Sequence, residues 1–87
     1  MNKAILSFSN GDTLELFEGQ RITPIARHTY EDGVGTSQCE TYEIWCHWSA
    51  GMIPSITELL CRCDFFLLQD DTDKAYASAS VVSIKNL

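Results

Sequence analysis

Eighty-seven residues suffice for one domain with a thin core, here expected over residues 1–87, and leave little room for a second. Six basic against twelve acidic residues give a formal charge of −6, with Lys3, Arg21, Arg27, Arg62, Lys74 and Lys85 scattered along the chain; this argues against a phosphate-binding surface and hence against direct nucleic-acid binding. No apolar run approaches the roughly 20 residues of a bilayer span, and Ala4 to Ser9 is too short and polar for a secretory core, so the expectation is a cytoplasmic chain, with no membrane partner, whose four cysteines are reduced.

Residues 4–8 alternate, with Ala4, Leu6 and Phe8 on one face, and residues 13–17 do so with Leu14 and Leu16. Ser9, Asn10, Gly11 and Asp12 between them are a hairpin signal. A two-residue Asn-Gly loop would set Leu6 against Glu15. A three-residue loop sets Phe8 against Leu14 and Leu6 against Leu16. Because a slip of one residue inverts a whole face, the apolar pattern favours the longer loop. Glu18-Gly19 makes the next turn. Residues 20–28 read as a third strand, placed at an edge or broken by Pro24, which has no N–H for a ladder. Residues 29–38, with Gly33, Gly35, Asp32, Thr36 and Ser37, read as a mobile loop.

Residues 39–48 carry the strongest strand composition, with Tyr42, Ile44, Cys46 and Trp48 on one face and Thr41, Glu43, Trp45 and His47 on the other. Ser49-Ala50-Gly51 breaks that strand. A helix is expected from near Pro54, since proline suits a first turn. Ser55 and Glu58 have capping-box spacing, and Ile56, Leu59, Leu60 and Cys63 form one apolar stripe. Phe65 to Leu68 then reads as a fully buried strand, Gln69 to Lys74 as a polar turn, and residues 80–85 as a last strand. The fold class that follows is α+β: a small, mainly antiparallel β-sheet or partly closed barrel with one short helix packed on it.

Chemistry-bearing residues are few. Cys61 and Cys63 are one residue apart on the predicted helix and point apart, as do Cys46 and His47 on the predicted strand, so cysteines packed as small hydrophobes are preferred over metal ligands. Neither His28 nor His47 is placed beside a thiol by any recognised spacing. Asp70, Asp71 and Asp73 resemble part of a calcium loop, but Ala75 stands where its glycine belongs and Val81 where its closing glutamate belongs. No catalytic residue, metal site or cofactor is expected.

Trp45 and His47 face outward in this reading, beside Thr41 and Glu43. An exposed tryptophan is a candidate anchor for a partner, a second copy or an aromatic ligand; the alternative is that another layer covers it. Arg21 and Arg27 lie on the strand marked as an edge, where they would hold an anionic or planar ligand or simply guard the edge. The candidate binding residues are therefore Trp45, His47, Arg21, Arg27 and Glu43.

The short acidic chain, its immediate entry into a strand, the helix-to-strand passage from Gly51 to Phe66 and the lack of catalytic motifs resemble the small accessory proteins encoded by bacteriophages and prophages. That resemblance implies a non-enzymatic binding protein that blocks or sequesters a host factor. Self-association into a homo-oligomer is also expected, since a thin core with exposed aromatics gains from a second interface. A virion assembly component, or an oligomeric sponge for a small nucleotide-like ligand, stands as the alternative.

Overall fold

In the computed structural model, which describes residues 2–30 and 33–87 and the side chains of these except at 28–30, the early alternation forms β1 (Lys3–Phe8) and β2 (Thr13–Phe17). Their loop does contain three residues, but it spans Ser9 to Gly11: the Phe8 amide donates to Asp12 O (2.9 Å), and Gly11 takes the turn's positive φ of 92°. The register is displaced by two from the one expected, so that Leu6 opposes Leu14 and Ala4 opposes Leu16. A shift of two keeps every side chain on its face, which is why the apolar pattern could not distinguish the two. β8 (Val81–Asn86) pairs with the other side of β1, giving a three-stranded sheet of order β2-β1-β8.

After the Glu18-Gly19 turn, β3 (Arg21–Tyr30) opens a second sheet. It is not an edge strand. β6 (Phe65–Leu68) pairs along one side of it; β4 (Gly33–Gln38) and the short β5 (Tyr42–Glu43) pair along the other, and β7 (Asp71–Ala77) adds to β6. Arg21 O and Ile25 O accept from Gln69 N and Asp64 N on the β6 side, whereas Pro24 O accepts from Cys39 N on the other. The missing N–H of Pro24 therefore points to the side of β4 and β5, at the break between them. Proline ends the ladder of the neighbouring strand instead of displacing its own strand to the rim.

Two other expectations exchange places. Residues 33–38, expected as loop, form β4 with an unbroken register to β3; Glu31 and Asp32 lie outside the described residues. Residues 39–48, expected as the clearest strand, pair only at Tyr42 and Glu43. The Ile44 amide bonds to Gln20 O (3.0 Å) and its carbonyl to the Gly19 amide (2.8 Å), which carries this pairing one residue further; the next bridge, His47 with Gly51, is local.

The helix α1 runs Ile53–Arg62, with Pro54 in its first turn. Its N-cap is Met52, which makes no side-chain cap bond, so the Ser55–Glu58 capping box does not form. Ile56 and Leu59 are buried, and Cys63 is the buried C-cap. β6 is not buried throughout: Phe66 and Leu68 face inward while Phe65 and Leu67 are half-buried. The expected polar turn is shorter than read, since β7 begins at Asp71. A 3-10 turn (Ser78–Ser80) leads into β8.

The core lies between the sheets and the helix. Ala4, Leu6, Phe8 and Leu16 come from the first sheet, Ile22, Phe66 and Leu68 from the second, and Met52, Ile56 and Leu59 from α1 and its entry. Tyr76 joins the sheets, stacking on Phe66 (centroids 5.3 Å apart) and on Phe8 (5.5 Å).

Candidate functional site

The segment between β5 and α1 turns the chain over Ile44 and presents an indole to solvent. Ile44 is buried and fixes the start of the segment. The Trp45 amide donates to Ser55 Oγ (3.0 Å), and the same hydroxyl lies 3.1 Å from the Tyr42 hydroxyl. Tyr42 Oη also reaches Ser55 O (3.0 Å) and Glu58 Oε1 (3.2 Å), either of which can take its single proton. Burial raises the Tyr42 phenol above its ordinary value of 10.0; the bond from Ser55 opposes that shift and the Glu58 charge adds to it.

Residues 47–51 close into a tight loop. His47 N donates to Gly51 O (2.7 Å) and Gly51 N to His47 O (3.1 Å). The His47 ring completes the turn: Nδ1 accepts from the amides of Ser49 and Ala50, both at 3.2 Å. An imidazole accepting at Nδ1 in this way carries its proton on Nε2. Gly51 has φ of +67°, and a Cβ there would fall 2.7 Å from Asn86 Oδ1. That amide side chain, at the end of β8, accepts from Met52 N (3.0 Å) and donates to Ala50 O (2.9 Å). The C-terminal side of the loop is thus pinned to β8, and Met52 beside it is fully buried.

Trp48 sits on this loop, 92% exposed, its ring stacked on His47 with centroids 5.6 Å apart. The alternation reading had placed it on the core face with Tyr42, Ile44 and Cys46. Its period-two rule ends with the pairing at Ile44, and the Ser49-Ala50-Gly51 break was the signal in the sequence that the next residues belong to a loop. Trp45, expected to face outward unless another layer covers it, is 38% exposed.

The other candidates do not gather around these aromatics. Arg21 and Glu43 are cross-strand partners forming an ion pair of 3.5 Å, with side chains 57% and 62% exposed; such a pair contributes little energy. Arg27 lies six residues further along β3, roughly 20 Å away at about 3.3 Å per residue. Its amide bonds to Asp64 Oδ2 (2.6 Å), and its side chain borders a separate open cavity of about 380 Å³ beside Cys61 and Cys63. The structure therefore stacks Trp48 on His47, leaves Trp45 just before them on the same segment, sets Arg21 and Glu43 at the root of that segment as an ion pair, and leaves Arg27 apart.

The thiols follow no ligand pattern. Cys39 and Cys61 are exposed, Cys46 is half-buried and Cys63 is buried, with Cys63 Sγ bonded to Leu59 O at 3.2 Å. Burial pushes the Cys63 thiol above its ordinary value of 9.0, against the bond from Ser78. Among the described residues no group of three or more His, Cys, Asp or Glu side chains converges, and no helix is long and apolar enough to cross a membrane. No family model matches the chain, and no curated protein and no solved structure matches it either.

Proposed function

We propose that the chain is a small non-enzymatic binding protein of the phage or prophage accessory type, acting in the cytoplasm of a bacterial host, and that it captures a host protein with the Trp48 loop. One observation carries the reading: an indole 92% exposed on a loop closed by the His47–Gly51 hydrogen bonds and anchored to β8 by Asn86. Tryptophan is among the residues that most often dominate binding energy at protein interfaces. A fixed loop also loses little conformational freedom when a partner closes over it. The nucleotide-sponge reading has less support, because Arg27 is remote from the indoles and Arg21 is already paired with Glu43.

The test is capture from bacterial lysate by the immobilised protein beside its Trp48→Ala variant. Truncating a side chain this exposed should change stability by no more than about 0.5 kcal/mol. The expected result is a host protein held by the wild type and released by the variant at unchanged circular dichroism. Partners retained in full by Trp48→Ala would remove the loop from the function.

A further inference from the structure

The two sheets of the described residues end in five strands, β2, β8, β4, β5 and β7; β5 is only two residues long and carries Glu43, and three of the other four edges are guarded. β7 carries Asp71, Asp73 and Lys74 and a register irregularity. β2 carries Glu15, ion-paired to Lys3 at 3.2 Å. β8 carries Lys85 and lies against α1. β4 (Gly-Val-Gly-Thr-Ser-Gln) has no charge, no proline and no irregularity in its register with β3, and its Val34 is 67% exposed. Charges, prolines and bulges are the devices that keep sheet edges from pairing with other chains.

We propose that β4 is where two copies of this chain join, edge to edge and antiparallel, with Thr36 on the twofold axis. This goes beyond the Trp48 reading and uses a different surface. The register follows from the ladder. Residues 26, 28 and 30 of β3 face β4 and oppose residues 37, 35 and 33. The backbone groups of Val34, Thr36 and Gln38 accordingly point outward. In the antiparallel pairing centred on Thr36, each of these three finds another of the three: Thr36 meets its own copy, and Val34 meets Gln38. Every outward-facing residue of the strand then exchanges both its backbone bonds, and the arrangement closes after two copies.

One observation selects a second copy as the occupant. Beyond Ile25, where the pairing with β6 ends, β3 has only β4 as a strand partner among the described residues. This stretch is a two-stranded ribbon on a molecule 45 Å long and 27 Å by 23 Å across. A two-stranded ribbon is marginal alone; joining two of them makes a four-stranded sheet, whereas a single foreign peptide would add only one strand.

Sedimentation velocity tests this on the wild type, Thr36→Pro and Trp48→Ala. An interface this small should give a concentration-dependent monomer–dimer equilibrium in the micromolar range, about 1 to about 500 µM. Thr36→Pro removes an outward N–H that faces away from β3, so it should keep the fold and weaken dimerisation at least roughly tenfold. Trp48→Ala should dimerise like the wild type. Should Thr36→Pro not fold, Thr36→Lys places like charges opposite each other on the axis, and the wild-type amides of Val34, Thr36 and Gln38 should gain exchange protection with concentration. A monomer throughout the range, a dimer indifferent to the Thr36 change, or a dimer lost with Trp48 would overturn the proposal.

Discussion

Ser55 is the residue on which the two halves of the candidate site lean. Its hydroxyl receives the Trp45 amide and meets the Tyr42 hydroxyl while its side chain is wholly buried. Among the described residues no buried side-chain nitrogen or oxygen lacks a partner. Ser55→Ala would leave the Trp45 N–H without its acceptor, and a buried group left so costs about 1–3 kcal/mol. Urea denaturation should show that loss; a change below about 0.5 kcal/mol would mean that water or a backbone shift replaces the bond. From sequence, Ser55 reads as a helix cap because Glu58 follows at capping distance. Its real partners come from residues 42 and 45, across a chain reversal that local spacing does not encode. Tyr42 and Cys63 also set an alkaline limit. Both folded values are raised, so the native state keeps these protons to higher pH than the unfolded chain does. The resulting stability is complete at neutral pH and declines as pH rises through 9.0 for Cys63 and 10.0 for Tyr42 toward their folded values. Urea midpoints should therefore fall between about pH 8.5 and about pH 11, and midpoints that stay level or rise there would contradict the burial seen for both groups.

At the level of elements, the hairpin of β1 and β2, helix α1 and strand β6 were legible because each is specified locally: a turn signal between alternating runs, an apolar stripe after a proline, a short apolar run. The segments 29–38 and 39–48 were not. β4 is rich in glycine and small polar residues, and it is a strand because β3 supplies a template for it. The aromatic and β-branched residues of 39–48 favour a strand, yet Pro24 offers them no N–H and the pairing that Gly19 and Gln20 carry on stops at Ile44. The 47–51 loop depends on Gly51, whose φ of +67° a side chain tolerates poorly and whose missing Cβ leaves room for Asn86. Gly51→Ala should cost about 1–2 kcal/mol from the backbone alone, with the clash adding to it. It should also loosen Trp48, visible as lower fluorescence anisotropy. An unchanged melting temperature would show that Asn86 moves aside freely.

For the molecule as a whole, α+β architecture and a single helix on antiparallel strands were readable from element order. The division into two sheets was not, since it depends on pairings between segments far apart in the chain, β8 with β1 and β6 with β3. The candidate site was legible in part: an aromatic surface after residue 42 was expected, but the exposed anchor is Trp48, and Arg27 lies elsewhere on β3. The molecule's only two indoles, at positions 45 and 48, share that one surface segment, while the sheet interior is filled by phenylalanine, tyrosine and aliphatic groups. Intrinsic emission is thereby a built-in optical probe of the loop. A captured partner should shift the emission of Trp48, while loss of the fold should shift that of Trp45, whose amide is held by the buried Ser55.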